Sequence, residues 1–355
     1  VDIRVVLPDG SERRLRRKAP MTARSAALRW GQQRERHWYQ ELTRPAPVEP
    51  KEVPTLEAFW PRFLDGHARA NRQKPSGIAT KEMVGRVHLL PHLGKRTLDT
   101  ITTERVQHLK AALGDRSPKT VNNVLTVLNM LLKKAVEWGV LDRMRCTIRL
   151  LPVLTPTVPF HDFAVFESLI EGARRRGPEA YAVVLLAGEA GLRRGEIAAL
   201  EWRDVDFKKR QLCVQRSIWK GHLGAPKGGR LRYVPMTTRV AAALQALRHL
   251  RGSTVFLDTK GQRATEQTIG EHAAHAARLA RISHQGIHIL RHTFCSHLAM
   301  RGAPARAIQE LAGHADLKTT QRYMHLSPAA LESAIRLLEM NSSHGEILET
   351  GGSKP

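Results

Sequence analysis

His288-Ile289-Leu290-Arg291-His292-Thr293-Phe294, followed downstream by Leu311-Ala312-Gly313-His314 and Thr319-Thr320-Gln321-Arg322-Tyr323, is the stretch on which the reading of this chain turns. His288 and Arg291 are three residues apart, so on a helix they share one face and can converge on one group. A guanidinium is always protonated and presents paired donors in a rigid fork, a shape that suits phosphate oxygens. A tyrosine hydroxyl, with an ordinary pKa of about 10, is a poor nucleophile until a base or a nearby positive charge helps it. Two further segments lie upstream. They are Gly191-Leu192-Arg193-Arg194-Gly195-Glu196-Ile197-Ala198-Ala199-Leu200 and Lys227-Gly228-Gly229-Arg230-Leu231-Arg232-Tyr233-Val234-Pro235. From Phe160 onward the pattern predicts helices with a short strand insert. The strands fall over 212–218 and 231–234, joined by a glycine-rich basic loop over 220–230.

Charge narrows the function classes. The 355 residues carry 57 Lys and Arg against 33 Asp and Glu, a formal net charge of +24. Such a surplus points to a polyanion, because each neutralised phosphate of a nucleic acid releases condensed counterions. The basic residues are spread along the whole chain rather than gathered on one amphipathic helix, which argues against a membrane surface as partner. No run approaches the roughly 20 apolar residues that span a bilayer, and the N-terminus lacks the apolar segment of a secretory signal. The chain opens on Val1 without an initiator methionine and is expected to begin inside a longer protein. Three widely spaced cysteines, Cys146, Cys213 and Cys295, argue against a disulfide framework and for a reducing compartment. The expected location is cytoplasmic, associated with a bacterial nucleoid.

Upstream of the motifs the chain divides into pieces. Residues 1–20 read as a hairpin turned at Pro8-Asp9-Gly10, followed by a helix over 22–42 with Ala26, Trp30, Trp38 and Leu42. A proline-rich linker over 44–50 closes this unit, taken as 1–45, which is too thin to bury much core. Residues 54–148 read as all-helical. Leu56, Phe59, Trp60, Phe63 and Leu64 recur at helical spacing with Pro61 as a kink, a second helix covers 76–90, and a third starts at Thr102 or Thr103. The fourth is the clearest, with Ser117 as N-cap, Pro118 at the first helical position and Val121, Val124, Leu125, Leu128, Leu131, Leu132 and Val136 on its apolar face. Lys119, Lys133 and Lys134 decorate it and are expected to grip DNA. A second linker spans 149–159, and the tail over 341–355 is polar and expected to fray.

With their order and spacing, the four motifs make the chain resemble the tyrosine recombinase, or phage integrase, family, over about 160–335 and more loosely over the helical domain before it. The resemblance implies a mainly α fold with a small β insert. A helical SAM-like core-binding domain and a catalytic domain over 158–336 would form a C-shaped clamp on DNA, with 1–45 a truncated arm-type DNA-binding unit. It implies a site-specific recombinase or integrase that cleaves and rejoins strands through a 3′-phosphotyrosine at Tyr323, integrating or excising a mobile element. Arg193 and Arg291 would neutralise the nonbridging oxygens, His288 would help Tyr323, His314 would add a hydrogen bond to the phosphate, and Lys227 would protonate the leaving 5′-oxygen. General acid–base help of this kind is typically worth roughly 10²–10⁴ in rate. No metal or other cofactor is required, because fixed cations supply the electrostatics that Mg²⁺ would otherwise supply. Active members work as homotetramers on two synapsed duplexes, with DNA-bending or directionality factors as further partners.

Taken singly, each residue has a plainer role. Arg193 alone would be a solvated helix arginine, a lone His288 or His314 a satisfied core histidine, and Tyr323 a packed aromatic. Glu196 is expected to hold Arg193 or cap a neighbouring segment, His292 to be structural, Arg230 to contact DNA, and Arg232 to contact DNA or the edge of the active site. The Thr319-Thr320 pair is expected to cap or orient the nucleophile's helix. His292, Cys295 and His297 are spaced irregularly for a zinc site. Two departures from the family pattern, Ala312 in place of leucine and Ala190 in place of threonine, touch packing rather than chemistry. A helix over 329–340 is expected to dock onto a neighbouring protomer. The alternatives are an Xer-like enzyme that resolves replicon dimers, a type IB topoisomerase, a catalytically silent DNA-binding protein and a structural nucleoid protein. The intact set of six catalytic residues sets the last two aside, and the separate helical domain with Leu-Ala-Gly-His favours a recombinase over a topoisomerase.

Overall fold

The structure is a computed structural model that describes residues 1–43, 52–153, 158–226, 228–283, 286–326 and Ile335. Lys227, the expected helix over 329–340 apart from Ile335, and the tail over 341–355 lie outside the described residues. The chain divides into two compact units. The first comprises Val1–Arg72 and Lys81–Leu150, the second Gln73–Thr80 and Leu151–Pro355.

In the first unit, β1 (Asp2–Val6) pairs antiparallel with β2 (Glu12–Arg16), and α1 (Arg24–Leu42) packs on β1. Only Ile3 and Val5 of β1 are buried, because alternation puts every second side chain on the helix-covered face. Gly31 lets α1 approach, since a Cβ there would fall 2.5 Å from Val1. Along the chain the helical part follows as α2 (Leu56–Phe63), α3 (Pro75–Val84, divided between the two units after Thr80), α4 (Leu90–Leu93), α5 (Thr103–Ala112) and α6 (Pro118–Glu137). Pro61 does not break α2. The missing N–H is accommodated and the chain runs on into a π-type turn over Leu64–Arg69. The helix expected over 76–90 is likewise interrupted by a π-type turn over Gly85–Leu89, and Pro91 sits inside α4 rather than stopping it. A Cβ at Gly85 would fall 2.1 Å from the Trp60 ring, so the helices meet there backbone to indole. Ser117 caps α6 by accepting from Thr120 N at 3.2 Å, and the apolar stripe from Val121 to Ala135 is buried.

The second unit is built round α8 (Pro178–Gly188), whose Ala182 to Ala187 are all buried. A helix apolar on all sides belongs at the centre of a core, and α7 (Phe163–Arg176), α10 (Thr238–Ala246), α11 (Glu266–Leu279) and α12 (His288–Met300) surround it. The short α9 (Arg194–Ala198) follows α8 across a turn at Gly191. The strand insert holds more than two strands. A small sheet has the order β3 (Val205–Asp206), β4 (Gln211–Val214), β7 (Arg232–Pro235), all antiparallel. The strand expected over 212–218 is split into β4 and β5 (Ser217–Trp219), and β5 pairs as a hairpin with β6 (His222–Gly224), which lies in the expected basic loop. Lys220 and Gly221 form its two-residue turn, both at positive φ, which matches the twist of the flanking strands. α13 (Ala305–Ala312) and α14 (Leu317–Met324) close the described chain against α12. Among the described residues no helix is long and apolar enough to cross a membrane.

Leu185 is fully buried at the centre of this core. Truncating it (Leu185→Ala) is expected to cost about 2–5 kcal/mol, the range for a buried leucine whose cavity only partly collapses. A urea titration checks this, and an unmoved midpoint would contradict the central placement of α8.

Candidate active site

Arg193 ends the turn that leads into α9, and Glu196 is three residues further on. The Glu196 carboxylate accepts the Arg193 backbone N–H at 2.9 Å, which satisfies one orphan donor of the helix start. The same carboxylate accepts Arg193 Nη1 at 2.8 Å and a two-pronged contact from Arg232, Nη1 at 3.0 Å and Nη2 at 2.7 Å. Glu196 is 2% exposed, and with four bonds it uses the full acceptor capacity of a carboxylate. Burial alone would push its pKa up. The Arg232 and Arg193 guanidiniums outweigh that and hold it at about 2.

The three arginines meet at the end of α13. Arg232 Nε donates to Leu311 O at 2.9 Å, Arg291 Nη2 donates to Ala312 O, and Arg193 Nη2 donates to Gly313 O at 3.0 Å. These are successive carbonyls at a helix C-terminus, where no backbone N–H of the helix remains to pair with them. Gly313 takes the left-handed conformation (φ +63°) that ends the helix, and a Cβ there would press to 3.0 Å on Arg232. Arg291 also donates to Gly191 O. Gly191 (φ +65°) has room only for hydrogen, since a Cβ would fall 2.5 Å from the Phe294 ring. Burial, then repulsion from Arg193, lowers the Arg291 pKa to about 10, which still leaves it charged at neutral pH.

Tyr323 projects from α14 into a buried cluster with Phe294, Cys295, Ala299, Ile308 and Ala312, and is 3% exposed. Burial is the main reason its pKa is pushed up to about 12, with Arg291 and Arg322 pulling the other way. Its hydroxyl lies 2.6 Å from Nδ1 of His292. Burial, reinforced by His288, Arg291 and Arg322, brings the His292 pKa down to about 4. His314 follows the α13 cap, with Nδ1 2.8 Å from Thr320 Oγ1 and its ring nearly parallel to that of Tyr323 at 6.3 Å between centroids. Burial and the arginines around it bring its pKa to about 3. Tyrosine and both histidines are therefore neutral in the resting site, and the arginines are its cations.

Arg193, Arg291, His314, Tyr323 and Glu196 are brought together. His288, on the first turn of α12, is exposed, and the Tyr323 hydroxyl meets His292 instead. Arg232, expected on DNA or at the edge of the active site, is 9% exposed and committed to Glu196 and Leu311, because alternation along β7 turns it inward with Val234. Among the other expected DNA contacts, Lys119, Lys133 and Arg230 are exposed, while Lys134 bridges Glu137 at 2.6 Å. Arg230 and Arg232 border a cleft of about 400 Å³ that Gln309, Gly313 and His314 also line. Asp316, rather than a threonine, caps α14, accepting Lys318 N at 2.9 Å, while Thr320 holds His314. His292, Cys295 and His297 do not converge, His297 Nε2 lying instead 2.9 Å from His161 O. Among the described residues no group of three or more His, Cys, Asp or Glu is placed to hold a metal ion.

A bundle that carries a small sheet, with arginines gathered beside a buried tyrosine, defines a class of DNA strand transferase, and comparison with known proteins makes this specific. Residues 162–330 match the model of the phage integrase family. The chain is similar to tyrosine recombinase XerC of Pelobacter propionicus, with 31% identity over 245 residues that cover 64% of this chain and 78% of the relative. It is 37% identical over 153 residues to XerC of Xanthomonas campestris, covering 41% of this chain and 44% of that one. In fold it resembles the Tn1549 transposon integrase in complex with transposon right end DNA (TM-score 0.66, 22% identity, 81% of this chain and 100% of that chain). It also resembles a lambda integrase tetramer bound to a Holliday junction (TM-score 0.63, 15% identity, 89% of each chain). The chain belongs to the tyrosine recombinase (phage integrase) family, and is a site-specific DNA recombinase.

The carboxylate at the centre of the arginines makes stability acid-sensitive. The Glu196 pKa is depressed on folding, so its contribution is complete above its ordinary value of 4.5 and is lost as pH falls towards 2. A depression of this size corresponds to about 3 kcal/mol. His292 and His314 act in the same direction from about pH 6.5 downward, because the unfolded chain binds their protons more readily. The urea midpoint is expected to fall steadily from pH 7 to pH 3. Glu196→Gln should lower the midpoint already at pH 7, corresponding to a loss of about 3–5 kcal/mol of unfolding free energy, since two guanidiniums lose their counter-charge. A midpoint independent of pH would refute the assignment.

Proposed function

We propose that this recombinase cleaves one DNA strand by attack of Tyr323 on a phosphodiester, holds the 3′-phosphate as a phosphotyrosine, and passes it to a second strand. The observation that carries the reading is the gathering of Arg193, Arg291 and Arg232 on the three carbonyls next to the Tyr323 helix. Carbonyl oxygens are weaker acceptors than phosphate oxygens, so an entering phosphodiester can replace them as partner of Arg193 and Arg291 without moving either side chain far. The pentavalent transition state carries more negative charge than the ground state, and preorganised guanidiniums stabilise that difference. His314, neutral and held by Thr320 at Nδ1, keeps its other ring nitrogen for a phosphate oxygen. Lys227 remains the proposed acid for the 5′-oxygen, on the strength of its motif. The phosphotyrosine conserves the energy of the broken bond, so rejoining needs no nucleotide cofactor.

Within this chemistry we favour integration or excision of a mobile element by four protomers on two synapsed sites, in the cytoplasm. Lys119, Lys133 and Arg230 would contact phosphates, and bending or directionality factors would set the direction. The solved integrases with DNA and with a Holliday junction support this. The likeness to XerC supports a second reading, resolution of replicon dimers.

A nicked suicide substrate carrying candidate core sites, incubated in chelator and run on a denaturing gel, tests the chemistry. A covalent adduct mapping to Tyr323 is expected, abolished by Tyr323→Phe with binding retained. An adduct that survives Tyr323→Phe would overturn the reading. Lys119→Ala with Lys133→Ala should weaken binding to all sequences alike and flatten its salt dependence, by roughly one unit of log–log slope per lost contact.

A further inference from the structure

Lys227 belongs to the stretch between β6 and β7, and the residues beside it are fastened from elsewhere in the second unit. Lys74 Nζ donates to Pro226 O at 2.8 Å and to Ala225 O at 3.3 Å. Gly229 N donates to the same Pro226 carbonyl at 2.9 Å and closes a tight turn across the two positions between them. Both lone pairs of that oxygen are thus in use. Pro226 is buried, whereas Ala225, Gly228, Gly229, Arg230 and Leu231 around it are exposed. Lys74 and Pro226 lie 152 residues apart in sequence, yet both belong to the second unit.

Composition explains why this stretch needs a tether. Gly224, Gly228 and Gly229 leave its backbone wide freedom, and Gly228 and Gly229 take φ values of +98° and +71°. A loop of that kind, left unfastened, samples many conformations. Lys74 stands on firmer ground. Pro75 follows it and disfavours a helical backbone at Lys74, while the Lys74 carbonyl accepts Gly77 N at 2.8 Å and Ile78 N at 3.2 Å at the start of α3. A helix end therefore carries the ammonium that holds the loop.

We infer that Lys74 is a positioning residue for strand cleavage. By holding the carbonyls of Ala225 and Pro226, it limits where the next residue, Lys227, can carry its ammonium. This role depends on the reading of Lys227 as the acid for the 5′-oxygen. An acid contributes only from conformations in which its proton reaches the leaving oxygen as the bond to phosphorus breaks. The share of time the loop spends in them multiplies the rate. Lys74 itself need neither touch DNA nor give up a proton. Its side chain is open to water, so the tether is of modest strength and its effect on rate is smaller than that of the acid it serves.

The test compares single-turnover cleavage of two nicked substrates by the full chain, with DNA binding measured alongside. One has the natural 5′-oxygen at the scissile phosphate and the other has sulfur in that bridging position. A thiolate leaves without a proton, so sulfur removes the need for an acid and for any group that positions it. Lys74→Met is expected to slow the oxygen substrate roughly tenfold, the weight of one charge-assisted hydrogen bond, and to cleave the sulfur substrate at the parent rate. Lys74→Arg can still donate to both carbonyls but holds its protons too tightly to be an acid, and should restore most of the rate. Lys227→Ala should show the same selectivity with a larger loss, about 10²-fold or more. Lys74→Met slow on both substrates, or on neither, would overturn the positioning role. So would Lys74→Arg as slow as Lys74→Met, or a fall in DNA affinity that accounts for the whole loss. Lys227→Ala slow on both substrates alike would instead remove the acid assignment, and the role of Lys74 with it.

Discussion

Three carbonyl oxygens at the end of one short helix set the geometry of this site. The last turn of any helix leaves carbonyls without backbone donors and with partial negative charge. Here Leu311, Ala312 and Gly313 each receive a guanidinium N–H, from Arg232 on β7, Arg291 on α12 and Arg193 beside α9. Three distant parts of the chain are tied to one turn of backbone. Like charges crowded into a poorly hydrated space repel, and the pKa of Arg291 is lowered first by burial and then by that repulsion. Glu196 offsets part of it by bridging two of the three. Three guanidiniums facing one carboxylate leave positive charge in excess, and a phosphate that gains negative charge as it reacts is the complement of that excess.

The rest of the site follows from this arrangement. Burial, reinforced by the cations, keeps His292 and His314 neutral, and burial keeps Tyr323 protonated. The electrostatic machinery is assembled before substrate arrives, whereas the nucleophile is not yet activated. Preorganisation lies in the charges, which need no rearrangement as the reaction proceeds, and what remains to be triggered is the movement of a proton.

Much of this was legible in the residues. Ser117 with Pro118 marked the start of α6, and the order of the four motifs identified the family. Other features were hidden for physical reasons. Arg232 looks like a surface cation because its charge dominates a one-dimensional reading, yet its two-residue spacing from Val234 on a strand already marked the inward face. His292 was overshadowed by Arg291 next to it, although His292, Cys295 and Ala299 repeat at a helical period and so marked a packed stripe. The β5–β6 hairpin was masked by glycine and lysine at its turn, which read equally well as loop. Contacts made across the fold, such as Glu196 to Arg232, carry no local signature at all.

That the arginines rest on main-chain oxygens also bears on how the site tolerates sequence drift. A side-chain acceptor can be deleted by a single codon change, but the carbonyls of Leu311, Ala312 and Gly313 are present whatever side chains stand there. The resemblance led to leucine being expected at position 312, yet with alanine there the carbonyl still meets Arg291. Side chains on that turn are free to vary under other pressures, such as packing or partner choice, while the anion-binding geometry is inherited from the backbone. Only changes that unmake the helix end itself, a proline in the last turn or a branched residue at Gly313, reach it directly.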